Sequence, residues 1–191
     1  MSSIEDFNKF LLSEEQHEAI FQNEIKPYLF SNLFKSEKPT LVIFGGQPGS
    51  GKSAAVEQAE KEFKIRGGSV SILGDDLRAF HPEYEHLLAV DDKTAAFYTG
   101  QDSGKWVEKA IDYAKQLRCH VVIEGTMRSP QTVERTINAF RRAGYWIDAR
   151  ILAVNKRLSW QGILQRYEHQ RAYRGSGRKV DPIARTIFDR I

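Results

Sequence analysis

A chain of 191 residues with 41% hydrophobic and 28% charged side chains is long enough to bury a full core and too apolar to stay disordered, so a single globular domain over 1–191 is expected. Its net charge of +3 is small and scattered, which argues against nucleic acid as a partner, and no apolar run approaches the length of a membrane span. The single cysteine, Cys119, excludes an internal disulfide and a cysteine metal cluster. Because Met1–Phe10 is polar and acidic rather than a signal peptide, the expected compartment is the cytoplasm.

The first expected element is a helix over Glu14–Ser31, where Ile20, Phe21, Ile25, Tyr28 and Leu29 make one apolar stripe. It forms the body of an N-terminal helical segment, 1–38, that ends in the polar linker Lys35–Pro39. Thr40-Leu41-Val42-Ile43-Phe44 is apolar and β-branched, as a buried strand should be. Directly after it, Gly46-Gln47-Pro48-Gly49-Ser50-Gly51-Lys52-Ser53 fits the pattern G-x-x-x-x-G-K-[ST], and Ala54–Phe63 reads as helix. Strand, glycine loop and helix in that order make a phosphate cradle. The glycines let successive N–H groups turn inward, and the helix N-terminus adds partial positive charge. Lys52 can then reach the β- and γ-phosphates of ATP, and the Ser53 hydroxyl can ligate Mg²⁺.

Further on, Ser69–Leu73 is a short second strand, Lys93–Gln116 a long helical region and Val121–Ile123 a third strand. Gln131–Ala143 is helical, with Gly144 as its stop signal. Ile147–Val154 reads as a fourth strand and Leu158–Arg171 as another helix, followed by the glycine-broken basic loop Arg174–Arg178. This alternation implies a three-layer α/β/α fold with a mainly parallel sheet, whose ligands bind beyond the carboxyl ends of the strands.

Polar residues follow each strand. Asp75 and Asp76 end the second strand, taken to lie beside the loop strand. From there a carboxylate can accept a hydroxyl proton and orient the oxygen in line with the γ-phosphate. Capping the helix that starts at Leu77 is the competing role for either aspartate, and His81 before Pro82 reads as structural. Glu124 ends the third strand and can hold a Mg²⁺-bound water. Thr126 and Arg128 can contact a polar, anionic acceptor. Arg166, with Arg174 or Arg178, can neutralise charge on the transferring phosphoryl group.

In this order, Gly-Gln-Pro-Gly-Ser-Gly-Lys-Ser, Asp-x-x-Arg-x-x-His-Pro, Glu-Gly-Thr-x-Arg and Arg-Tyr-Glu resemble the zeta toxin family of toxin–antitoxin systems. The N-terminal Leu12-Ser13-Glu14-Glu15-Gln16-His17 is similar to that family too. The resemblance implies a P-loop NTPase-type kinase that uses ATP and Mg²⁺ to phosphorylate the 3-hydroxyl of the sugar of UDP-N-acetylglucosamine. The product starves peptidoglycan synthesis, and an antitoxin neutralises the enzyme by covering the ATP site. By match of spacing, the family's catalytic base falls on Asp75. Its acceptor contacts fall on Glu108, Thr126 and Arg128, and its phosphate-clamping arginines on Arg166 and Arg178. This chain departs from the family in carrying Leu73 and Gly74 where some members have polar residues. It also ends at Ile191, where many members continue with helices that shape the sugar–nucleotide cleft. The residues alone are also compatible with another hydroxyl acceptor, such as an antibiotic or a different nucleotide sugar. They are compatible as well with a nucleotide-dependent regulatory module that has no acceptor, although such a switch needs no base at Asp75.

Overall fold

The computed structural model describes residues 9–91, 94–124 and 129–174. Helix α1, Glu14–Ile20, opens with a reciprocal cap. The Ser13 hydroxyl accepts from the Gln16 N–H and the Gln16 side chain accepts from the Ser13 N–H, each at 3.2 Å. The expected single helix to Ser31 is instead interrupted by a π-helical turn, Phe21–Ile25, before α2, Lys26–Phe30. Pro27, in the first turn of α2, has no N–H to donate and its ring crowds the carbonyl four residues back, so the hydrogen-bond register widens there.

Strand β1, Thr40–Gly46, leads through the glycine loop into α3, Lys52–Phe63. Strand β2, Ser69–Ile72, is followed by a short 3₁₀ helix, Asp76–Phe80, then α4, Tyr84–Val90, and α5, Ala95–Tyr98. The expected long helix is present as α6, Gly100–Leu117, set off from α5 at Thr99, whose hydroxyl donates to Ala95 O. Strand β3, His120–Glu124, α7, Pro130–Arg142, β4, Trp146–Leu152, and α8, Lys156–Arg174, complete the described chain. Gly144 adopts φ +78° and its N–H donates to Arg141 O, the stop its position predicts.

All strand pairs are parallel, in the order β2-β3-β1-β4. The second strand is therefore not beside the loop strand, as expected from the sequence. β3 lies between them. A sequence lists strands in chain order but carries no direct record of which crossover lands where. Both faces of β1 are buried, as in a sheet covered on two sides. Leu41 and Ile43 join Val70, Ile72, Val121, Ile123, Trp106, Ala110, Phe140 and the N-terminal Phe21 and Ile25 in one core. Val42 and Phe44 face Val56, Ala59 and Phe63 of α3 in the other. This is the three-layer arrangement, and it brings every strand's carboxyl end to one edge. Among the described residues no helix is long and apolar enough to cross a membrane.

Candidate active site

The phosphate loop takes the shape its glycines allow. Gly49 and Gly51 have φ of +75° and +84°, a backbone region that costs a side-chain-bearing residue energy. Gly51 is the N-cap of α3, and a Cβ placed there would meet nothing within 4 Å, so its φ and not crowding calls for glycine. Lys52, the first residue of α3, is 93% buried (7% exposed). Its Nζ donates to Gly46 O at 2.9 Å and Gln47 O at 3.0 Å, and lies 3.8 Å from the Glu124 carboxylate. Burial lowers its pKa, with the Glu124 charge opposing and the Arg166 charge adding to the shift. An ammonium that is desolvated and only partly neutralised is a strong site for a bound anion. Ser50 Oγ is buried in the same loop with no hydrogen-bond partner among the described residues. The Ser50 hydroxyl and the desolvated Lys52 ammonium in one glycine loop together fit a polyphosphate. The exposed Ser53 hydroxyl at the start of α3 and the half-buried Glu124 carboxylate are oxygen donors of the kind Mg²⁺ takes.

Strand register sets the second part of the site. Ile72, Ile123 and Ile43 form one row across β2, β3 and β1. Asp75 and Gly46 each stand three residues past that row, and Glu124 stands one past it. The acidic strand end next to the loop is therefore Glu124, and Asp75 lies one strand further out on the same edge. Neither aspartate caps the 3₁₀ helix. Asp75 occupies the N-cap position but makes no cap bond, and its Oδ1 accepts from Arg78 Nε at 3.4 Å. Desolvation, and then the charge of Glu60, raise the pKa of Asp76.

Arg78 was conspicuous in the sequence only as part of a motif. In the structure it fixes the turn that carries Asp75. Besides Asp75, it donates to Ala96 O and to Thr99 Oγ1 at 3.3 Å, which ties the 3₁₀ helix to the start of α6. His81 closes the same turn, as expected. It is buried, and its Nδ1 accepts from the Glu83 N–H, which leaves Nε2–H to donate to Phe10 O at 3.1 Å and toward Asp102 at 3.4 Å. Glu108 is an exposed residue of α6, one position beyond Val107, whose Cγ2 lies 3.5 Å from where a Cβ on Gly74 would stand. That places α6 against the end of β2. Thr126, Arg128 and Arg178 lie outside the described residues, as does the Arg174 side chain. A separate open cavity between Arg66, Tyr145, Trp146 and Arg150 is at the opposite pole, by the amino ends of β1 and β4, away from the strand ends next to the glycine loop and Asp75.

The Zeta toxin family model matches residues 29–187, an interval that contains the loop, the aspartate turn and Arg166. The chain belongs to the Zeta toxin family. Toxin PezT of Streptococcus pneumoniae serotype 4 is 34% identical over 133 residues, covering 70% of this chain and 52% of that protein. Toxin zeta of Streptococcus agalactiae is 29% identical over 168 residues, 88% of this chain and 56% of its own length. This Zeta toxin chain thus spans about half the length of the curated relatives it matches. A solved structure from the PezAT chromosomal toxin–antitoxin system of Streptococcus pneumoniae superposes with a TM-score of 0.79 at 27% identity, covering 87% of this chain and 67% of that one. A candidate kinase from Chloroflexus aurantiacus has a TM-score of 0.56 at 17% identity over 79% of this chain and 78% of its own, a likeness of fold.

Proposed function

We propose that this Zeta toxin chain is an ATP-dependent phosphotransferase that phosphorylates the 3-hydroxyl of the sugar in UDP-N-acetylglucosamine. The observation that carries the reading is the buried Lys52 ammonium of the glycine loop, 3.8 Å from Glu124, in a loop whose buried Ser50 hydroxyl has no partner among the described residues. Loop N–H groups and Lys52 would hold the β- and γ-phosphates. Mg²⁺, held by Ser53 and through water by Glu124, would screen the charge that develops between them. The Asp75 carboxylate takes the proton of the acceptor hydroxyl as that oxygen bonds to the γ-phosphorus. The bond from the γ-phosphorus to the bridging oxygen breaks, and ADP leaves with the electron pair. Arg166, whose charge already reaches Lys52, with Arg178 as the second clamp, stabilises the transferring group. Glu108, Thr126 and Arg128 hold the acceptor.

Both substrates are made in the cytoplasm, where the reaction would run. A partner antitoxin would act by covering the mouth of the loop near Lys52, in keeping with the toxin–antitoxin system in which the matching structure was solved. The test is incubation with ATP, Mg²⁺ and a panel of sugar nucleotides and aminoglycosides, read by mass. The gain of one phosphoryl group by UDP-N-acetylglucosamine alone supports the reading. Gain by another member of the panel replaces the acceptor, and gain by none, with ATP bound, removes the transferase.

A further inference from the structure

A loop that binds phosphate through its N–H groups has to send its carbonyl oxygens the other way, and those oxygens need partners. Two of them are met from within the motif, since Lys52 Nζ donates to Gly46 O and Gln47 O. The next two face α8. Ser159 Oγ donates to Pro48 O at 2.7 Å. Gly49 O lies against Gly162, where a Cβ would stand 2.6 Å from that oxygen and 3.2 Å from Gly49 Cα. The approach is reciprocal, because a Cβ on Gly49 would run into Ser159 O and come within 3.0 Å of Ile163 N. Just before α8, Val154 O accepts from the Gln47 side chain. Ser159, Gly162 and Arg166 are spaced i, i+3 and i+7, so they share one stripe of the helix. The same docking that presses Gly162 onto the loop therefore carries Arg166 toward Lys52.

We propose that Ser159 and Gly162 are positioning residues for nucleotide binding, holding the Pro48 and Gly49 carbonyls outward so that the loop's N–H groups face the phosphates. The role rests on the nucleotide-binding reading above and brings the last described helix into that site. Glycine at 162 is required by the approach of two backbones. Within a helix alanine is the better former, so without that contact Gly162→Ala would bind ATP normally and melt no lower.

The experiment is calorimetric titration of the full chain with ATP and Mg²⁺, no acceptor present, beside melting curves. Wild type, Gly162→Ala, Ser159→Ala and Ser159→Thr are compared, with Gln161→Ala on the exposed flank as control. Gly162→Ala should weaken ATP roughly ten-fold or more, the scale of a forced overlap in a packed contact. Ser159→Ala should weaken it about five-fold, the scale of one lost hydrogen bond, and Ser159→Thr should restore it. Native-like binding in both Gly162→Ala and Ser159→Ala overturns the proposal, and so does a lowered melting temperature with unchanged affinity. If Gly162→Ala does not fold, the Ser159 pair decides. Failure of wild type to bind ATP removes the nucleotide reading itself, and this role with it.

Discussion

Replacing each of the adjacent aspartates by asparagine separates chemistry from structure at the end of β2. Asp75 is exposed, and its contact with Arg78 is 3.4 Å, long for an ion pair. Exposed pairs of this kind contribute about 0–1 kcal/mol, so Asp75→Asn should melt close to wild type. If Asp75 is the base, the same change should slow transfer by about 10²–10⁴-fold, because an amide cannot accept the hydroxyl proton. ATP affinity should hold, since β3 separates this strand end from the loop strand. Asp76 predicts the opposite pattern. Its pKa is raised by desolvation and by Glu60, so the native fold disfavours its charge. Because the Asp76 side chain is exposed, that cost is small, and Asp76→Asn should leave stability near wild type at pH 7, with most of the activity. Single-turnover transfer at saturating ATP, paired with thermal melts, reads both quantities. An inactive Asp76→Asn beside an active Asp75→Asn would refute the assignment of the base.

Three other perturbations follow from the same geometry. Lys52→Ala removes the charge at the phosphates and the donor to Gly46 O and Gln47 O, so transfer should fall by orders of magnitude in a protein whose circular dichroism is native. An unchanged rate would take the loop out of the reaction. Arg78→Ala strips a partly buried, multiply bonded guanidinium from Asp75, Ala96 O and Thr99 Oγ1. It should cost on the order of 1–3 kcal/mol in urea denaturation and lower kcat with little change in ATP affinity; wild-type kcat would contradict its positioning of Asp75. His17 and His120 are buried, and desolvation is the chief reason their pKa values lie below the ordinary histidine value of about 6.5. As pH falls below about 6.5 the unfolded chain takes up these protons first, so stability should drop from there down through the lowered native values. A urea midpoint that does not move over that interval would contradict their burial as neutral rings.

The phosphate loop was legible because it is local. Glycine spacing, lysine and the flanking strand and helix all lie within Thr40–Phe63, and the structure places them as read. The strand ends were legible as a class, and Glu124 proved to be the true neighbour of the loop strand. The position of Asp75 was misjudged by one strand because lateral order in a parallel sheet is decided by long crossovers and not by any local pattern. The break in the N-terminal helix had a visible cause in Pro27, whose effect on the preceding turn the apolar stripe outweighed. The meeting of Gly49 with Gly162 joins residues far apart in sequence. Its one local trace is a glycine inside an otherwise regular helix, a signal that asks for a packing reason.

The central claim is that the Lys52 loop and Asp75 act together on a sugar hydroxyl. The most direct measurement follows γ-labelled ATP with Mg²⁺ and UDP-N-acetylglucosamine, locating the label by phosphorus NMR in wild type and in Lys52→Ala. The account predicts one labelled phosphate on the 3-hydroxyl of the sugar with wild type and none with the variant. Label found only as inorganic phosphate, or equal transfer by the two proteins, would contradict it.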